Sequence, residues 1–311
     1  MRAFVFPGQG SQKVGMGVEL AEASAAAREV FGEVDEALGQ HLYRLMAEGP
    51  EDQLTLTANA QPAIMANALA VARVLEEGGV VLSEKGHAVA GHSLGEYAAL
   101  AAVGAFSLAD TARLLRIRGD AMQQAVPVGV GSMCALLGAD LAKAQALADA
   151  AAQGQVCEVA NDNDPGQVVL SGHAEAIDRA VEMAKEYGCK RAVKLPVSAP
   201  FHCSLMEPAA RAMEAALAAT PPVAFRLPLY ANVTAAEVTD PAVEQALLVQ
   251  QVTGRVRWRE SVLAMQAAGV TQFIELGGKV LGPMIRKIAE DVVVTSVVTM
   301  EDIENLAKEL G

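Results

Sequence analysis

Six residues, Gly91-His92-Ser93-Leu94-Gly95-Glu96, put a hydroxyl where a nucleophile is useful. They follow the small apolar run Ala88-Val89-Ala90 and precede the Ala-rich run from Tyr97 to Val103, so Ser93 falls where a strand turns into a helix. Glycines two before and two after the serine remove Cβ atoms that would clash in so tight a turn. Such a turn lifts Oγ out of the sheet and aims it at the positive end of the next helix, which suits a nucleophile that forms an ester with an acyl group. The competing reading is a serine that only caps the helix.

A serine hydroxyl needs a base near neutral pH. The five histidines are His41, His87, His92, His173 and His202. His92 is adjacent to Ser93 and should project away from it. His41 sits among helical residues and His87 before the strand, both in keeping with surface or packing roles. His173 follows Ser171-Gly172 and suits loop support. His202 closes the segment Pro196-Val197-Ser198-Ala199-Pro200-Phe201-His202, a loop fixed by two prolines ahead of a helix, and is the expected general base. A Ser-Asp/Glu-His order would need a carboxylate between the two. Asp162, Asp164 and Asp178 qualify by order alone. A dyad whose imidazole is oriented by a backbone carbonyl or an amide requires less.

The turn Pro7-Gly8-Gln9-Gly10-Ser11-Gln12 leaves peptide groups uncovered. The amide of Gln9, paired with that of Leu94, could form an oxyanion hole. The turn lacks the Gly-Lys-Ser/Thr ending of a P-loop and the GxGxxG spacing of a dinucleotide site. Arg113, Arg116 and Arg118 point to different sides of one helix. One of them could grip a carboxylate through two parallel hydrogen bonds, and spacing does not say which.

The elements that must carry these residues alternate between short apolar strands and long helices, the pattern of a mostly parallel sheet covered on both faces. Phe4–Phe6 and Ala88–Gly91 read as strands, with helical periodicity from Gly17 to Leu45, from Pro62 to Leu75, and onward through Met122. The pattern changes near Pro127. Strand 132–137, helix 140–151, strands 156–160 and 167–170 around the turn-like Asn161-Asp162-Asn163-Asp164-Pro165-Gly166, helix 174–187 and strand 190–195 give the order β-α-β-β-α-β. Helix 204–219, a strand over 227–231, helices 241–252 and 259–268, and strands 273–276 and 292–298 follow. The expected architecture is α/β: a parallel-sheet core in two sequence segments, 1–126 and 197–311, around a ferredoxin-like subdomain over 127–196.

A formal net charge of -13 argues against broad nucleic-acid binding, which needs a positive surface. Arg255, Arg257, Arg259, Arg286 and Lys287 could form a local basic patch for an acidic partner, or simply a solvated face. No stretch offers the roughly 18 continuous apolar residues of a membrane span. The amino terminus lacks a secretory signal pattern, so the expected location is cytoplasmic. Cys134, Cys157, Cys189 and Cys203 have neither paired close spacing nor a metal-like arrangement, implying reduced thiols and no structural metal.

Taken together, Phe6 to Gln12, Gly91 to Glu96, Arg118-Gly119, Asn163 to Gln167, Pro200-Phe201-His202-Cys203-Ser204-Leu205-Met206, Gln251 to Trp258 and Glu275-Leu276-Gly277 resemble the malonyl-CoA:acyl-carrier-protein transacylases of bacterial dissociated fatty acid synthesis. The resemblance covers essentially the whole chain. It implies an α/β-hydrolase-like core with a ferredoxin-like insert, Ser93 as the acylated nucleophile and His202 as its base. It further implies oxyanion-hole amides from Gln9 and Leu94, and Arg118 as partner of the malonyl carboxylate. Gln251 would support the dyad in place of an acidic third member, and Asn163 would line the substrate channel. Phe201 and Leu94 resemble malonyl-selecting members, Phe201 filling the space an α-methyl group would need. The implied partners are malonyl-CoA and the phosphopantetheine arm of acyl carrier protein, with no metal, nucleotide or redox cofactor, and a monomeric state. A discrete acyltransferase of a polyketide synthase, a serine hydrolase and a non-catalytic acyl-CoA-binding protein are the alternatives.

Overall fold

The computed structural model describes residues 1–197 and 199–311; Ser198, part of the Pro196–His202 segment expected to be fixed by two prolines, lies outside the described residues. The chain opens with β1 (Arg2–Phe6), helices α1 (Val18–Ala23), α2 (Ala25–Leu38), α3 (Leu42–Glu48), α4 (Glu51–Thr55), α5 (Thr57–Glu77) and α6 (Leu82–Lys85), then β2 (Ala88–Gly91), α7 (Leu94–Ala102) and α8 (Leu108–Gln124). A second group follows: β3 (Gly131–Leu137), α9 (Leu141–Ala152), β4 (Cys157–Asp164), β5 (Gln167–His173), α10 (Ala174–Met183) and β6 (Arg191–Lys194). The chain ends with α11 (Glu207–Ala219), β7 (Leu229–Tyr230), β8 (Glu237–Val238), α12 (Pro241–Thr253), α13 (Trp258–Ala267), β9 (Gln272–Leu276), α14 (Leu281–Ile288), β10 (Val293–Val297) and α15 (Met300–Leu310).

These strands form an α/β fold with two sheets. The larger has the order β10-β9-β1-β2-β7-β8, parallel throughout except for the β7–β8 pair at one edge. Alternation along β1 explains why both faces need cover. Phe4 and Phe6 enter the core under α2, α5 and α7, whereas Ala3 and Val5 pack with Trp258, Val262 and Ile285 from α13 and α14. The smaller sheet is antiparallel, with the order β4-β5-β3-β6. One face of it has a core of its own, in which Leu136, Val168 and Leu170 meet Leu147 and Ile177 from α9 and α10.

The polar run 161–166 departs from expectation. It is not a loop: β4 continues through Asp164, leaving Pro165 and Gly166 as the whole turn, with register shifts at Val159/Asn161 and Asp162/Asp164. Of its four buried polar residues, three have side-chain partners outside the strand, Asp162, Asn163 and Asp164. Arg259 clamps Asp162 at 2.8 Å and Lys287 reaches Asp164 at 3.1 Å. Asn161 also forms a parallel bridge with Val256, tying the small sheet to the segment before α13. Other differences are at element ends and in small elements. α5 begins at Thr57, with Pro62 inside it, and α10 stops at Met183. α4, α6, β8, α14 and α15 lie outside the expected elements.

Glu275 explains the β9 motif. Its buried carboxylate accepts the Val280, Leu281 and Gly282 amides, at 2.8, 2.9 and 2.8 Å, so it holds the amino end of α14 from the end of the sheet.

The β2–α7 turn is the tightest point of the core. A Cβ on Gly91 would lie 1.9 Å from the Gly95 carbonyl carbon, and one on Gly95 would lie 2.2 Å from the Phe6 carbonyl oxygen. The helix therefore starts in direct backbone contact with the strand, which no larger residue permits. Gly95→Ala is expected to cost about 2 kcal/mol or more of stability, read as a lower denaturation midpoint at unchanged m-value. An unchanged midpoint would mean that α7 can move away from β1 freely.

Candidate active site

The elbow sets Ser93 in a conformation that a non-glycine residue adopts only under constraint, with φ 55° and ψ -114°. Its side chain makes no capping hydrogen bond to α7, which removes the bland explanation for a serine here. Instead Oγ lies 2.7 Å from Nε2 of His202. His202 is itself at positive φ, 57°, at the end of the proline-fixed loop.

The tautomer follows from the second ring nitrogen. Nδ1 of His202 is 2.8 Å from the carbonyl oxygen of Gln251, which only accepts, so Nδ1 carries the proton and Nε2 is free to accept the Ser93 hydroxyl. A backbone carbonyl thus stands where a triad would have a carboxylate. The three aspartates that qualified by order are engaged elsewhere: Asp162 with Arg259, Asp164 with Lys287, and Asp178 with Lys194.

Of the three arginines of α8, only Arg118 turns inward. Arg113 pairs with Asp110 at the surface, and Arg116 hydrogen-bonds Asn59 and Gln40. Arg118 is 1 % exposed and fans its donors over neutral oxygens: Nη1 to Gln61 Oε1 at 2.8 Å, Nη2 to Gln251 Oε1 at 2.8 Å, and Nη2 to Ser93 Oγ at 3.0 Å. Its guanidinium carbon lies 5.7 Å from the Tyr97 ring centroid. Among the described residues no carboxylate forms an ion pair with it, and its Nε has no acceptor. A buried cation with neutral partners is costly unless something anionic joins it.

Gln251, on α12, is the hub. Besides accepting from Arg118 and His202, it donates through Nε2 to the Ser93 carbonyl at 3.0 Å. Gln250 beside it is exposed. The Gln9 turn packs against the elbow, where a Cβ on Gly8 would lie 2.7 Å from the His92 carbonyl oxygen. The Gln9 side chain accepts from Thr57 at 3.1 Å, and Thr57 in turn accepts from Gln61 at 3.2 Å, a chain of contacts that ends on Arg118. Among the described residues the Gln9 and Leu94 amides donate to no protein acceptor.

Asn163 is near the dyad but does not touch it. It accepts from His92 Nε2 at 2.8 Å and so holds the His92 ring, which also packs against Trp258, next to Ser93. Phe201 borders a pocket of about 310 Å³ with Gln9, Leu56, Thr57 and Val197. The basic cluster is partly neutralised: Arg255 and Arg257 share Glu260, Arg259 pairs with Asp162 and Lys287 with Asp164, while Arg286 donates to the Val294 carbonyl.

Three contributors were not legible in the sequence: Asn232, Gln61 and Thr57. Asn232, fully buried after β7, accepts the Ser93 amide at 2.8 Å and donates to the Gly91 carbonyl, pinning both arms of the elbow. A lone asparagine after a short strand carries no spacing signal that would have revealed it.

A serine on a strand–helix elbow, hydrogen-bonded to a histidine and flanked by free backbone amides, is equipped for acyl chemistry, and comparison with known proteins defines the class as acyl transferase. A family model described as the acyl transferase domain matches residues 3–281. The chain is 43 % identical over 304 residues, 97 % of its length and 95 % of the other, to the malonyl CoA-acyl carrier protein transacylase of Bacillus subtilis. A crystal structure of the acyl-carrier-protein S-malonyltransferase from Bartonella henselae superposes with TM-score 0.97 at 53 % identity, covering 100 % of this chain and 99 % of that one. A malonyl-transacylase solved in complex with a type II polyketide synthase acyl-carrier protein superposes with TM-score 0.95 at 36 % identity, covering 99 % of both chains. The chain belongs to the malonyl-CoA:acyl-carrier-protein transacylase family.

Burial, and then the Arg118 charge, pull the His202 pKa from 6.5 down to about 3. The free imidazole therefore stays neutral and ready to accept a proton in mildly acidic solution. The sign of the effect on stability follows: the unfolded chain binds the proton first, so this contribution weakens as pH falls below 6.5 toward 3. The acid limb of kcat/KM is expected well below pH 6.5, and Arg118→Ala should move it upward by removing the nearby cation. A wild-type limb at the ordinary histidine value would contradict this account.

Proposed function

We propose that the chain moves malonyl from coenzyme A to the phosphopantetheine thiol of acyl carrier protein, in fatty acid synthesis, through a malonyl ester on Ser93. One observation carries the reading: the same Oγ contacts a base, His202, and a buried cation, Arg118, that has no carboxylate in ion-pair contact among the described residues. Ser93 Oγ attacks the thioester carbonyl while its proton passes to His202 Nε2. The tetrahedral oxyanion is received by the Gln9 and Leu94 amides, and it collapses by breaking the C–S bond. The imidazolium returns its proton to the departing CoA sulfur. In the second half the carrier thiol gives its proton to His202, attacks the ester carbonyl, and Ser93 Oγ leaves and is reprotonated. The same groups serve both directions, as a thiol-to-thiol exchange requires.

Arg118 is assigned to the free malonyl carboxylate. Gln61 and Gln251 already orient its guanidinium, so the anion meets a pre-positioned fork. Gln251 holds His202 through its carbonyl, and Phe201 narrows the entrance pocket against an α-methyl branch. Asn163 acts through His92 at the channel wall.

Residues 1–126 and 197–311 are assigned to one α/β-hydrolase-like catalytic unit, and 127–196 to a ferredoxin-like insert. The β4-β5-β3-β6 order and the separate core beneath α9 and α10 support that division. We assign a monomer that acts in the cytoplasm on soluble carrier protein, with no nucleic-acid partner. Among the described residues no helix is long and apolar enough to cross a membrane.

The structural likeness to a transacylase bound to a polyketide carrier keeps one second reading in view, a polyketide carrier as acceptor. Comparing kcat/KM for the two carriers decides between them: the fatty acid carrier should be preferred, and strong preference for the polyketide carrier would reverse the assignment.

Incubation with malonyl-CoA alone should add one malonyl mass to Ser93, and Ser93→Ala should abolish it. Acylation at another residue in that variant would refute the nucleophile. Arg118→Ala should depress kcat/KM for malonyl transfer by about 100-fold or more, the scale for loss of a buried charge contact, while acetyl transfer is spared or improved. Equal losses for both would make Arg118 a structural residue.

A further inference from the structure

Two carboxyl groups lie behind the dyad and take no part in the chemistry above. Glu96 and Glu244 are both 0 % exposed. Glu96 is the third residue of α7, three beyond Ser93. Glu244 lies seven residues before Gln251 on α12, close to two helical turns, so both project from the same helix face. The nucleophile's helix and the helix that orients its base thus meet at these two side chains, whose carboxyl groups lie close enough to act on each other's charge.

Their surroundings do not support two negative charges. Asn232 N–H donates to Glu96 Oε2 at 2.7 Å, but among the described residues Glu96 Oε1 and both oxygens of Glu244 have no donor. Buried carboxylate oxygens without donors are costly, and adjacent carboxylates resist joint ionisation. The groups facing the pair are Arg118 from α8, which also lies near His202, and the Tyr97 hydroxyl from α7 itself. The ionisable residues of α5 (Arg73, Glu76, Glu77) and α11 (Glu207, Arg211, Glu214) are at the exterior. Among the described residues Arg118 is thus the one cation near the pair and makes no ion-pair contact with either carboxyl, too little to hold two negative charges there.

We infer that Glu96 and Glu244 share one proton and form a strut that fixes α7 against α12, making Glu244 a positioning residue for the Ser93–His202–Gln251 geometry. The strut also holds Asn232, whose side chain accepts the Ser93 amide. Burial first, and then the Glu96 charge, raise the Glu244 carboxyl well above the ordinary range, in keeping with a retained proton. A carboxyl whose folded pKa is raised stabilises below its unfolded value and loses that contribution as pH rises through the folded one. The strut is therefore intact below the raised Glu244 pKa and opens as pH rises through it, where two buried anions would push the helices apart.

The inference rests on Ser93 and His202 being the reacting pair, and its test separates the two claims. CoA release from malonyl-CoA is followed in wild type, Glu244→Gln and Glu244→Leu across pH, with the Ser93 adduct measured in parallel. In Glu244→Gln an amide N–H donates to the Glu96 carboxylate and cannot be titrated away. That variant should keep most of the neutral-pH rate and extend its alkaline limb upward. Glu244→Leu should lower kcat by about 10-fold or more with KM little changed, since misplacement of a reacting group by about 1 Å costs up to about 100-fold. An alkaline limb identical in wild type and Glu244→Gln, or a wild-type kcat in Glu244→Leu, would overturn the strut. If Glu244→Leu does not fold, the Glu244→Gln profile decides alone. Loss of the strut claim leaves the Ser93 adduct intact, whereas absence of the adduct in wild type would refute the dyad itself.

Discussion

Much of this molecule is arranged around a single buried guanidinium. Arg118 contacts two glutamine oxygens and the nucleophile's own hydroxyl, with no carboxylate in ion-pair contact among the described residues. Its burial weakens the hold on its proton, yet an arginine stays charged at any working pH. Such a charge demands compensation, and the site offers room for it where an acyl group on Ser93 would extend. On the proposed function, substrate selection is electrostatic in origin: a carboxylate-bearing acyl unit would complete the site, whereas an acetyl unit would leave the cation as it was. After burial, the same cation depresses the basicity of His202, so on the proposed function specificity and base strength would be coupled through one residue.

The scaffold holds that arrangement by close backbone contact rather than by large side chains. Ser93 and His202 both sit at positive φ, and each is held there by its surroundings. Gly91, Gly95 and Gly8 let three backbone segments meet where any Cβ would collide. Asn232 and Gln251 then satisfy the amides and carbonyls that the elbow exposes. The antiparallel sheet is clamped to the main body by Arg259–Asp162 and Lys287–Asp164, placing Asn163 against His92 beside the nucleophile.

How much of this was legible in the sequence depended on the kind of signal. The elbow was readable because glycine spacing around Ser93 has a steric cause, and His202 because few histidines compete and two prolines fix its loop. Spacing alone did not choose among Arg113, Arg116 and Arg118. Family resemblance did, and the inward turn of Arg118 is a matter of helix phase against α5 and α12. The Asn161–Asp164 run misled because polar, turn-favouring residues were kept in a strand by ion pairs to helices about 100 residues away. Asn232, Gln61 and Glu244 were invisible, since each matters only through partners distant in the chain.

The central claim is that the buried cation receives the free carboxylate of the acyl group on Ser93. Soaking crystals of the protein with malonyl-CoA, in the absence of carrier protein, traps the ester for direct observation. The account predicts a malonyl-Ser93 whose carboxylate lies within hydrogen-bonding distance of the Arg118 guanidinium and whose ester oxygen lies between the Gln9 and Leu94 amides. An ester whose carboxylate points to solvent, with Arg118 still bound only to Gln61 and Gln251, would contradict it.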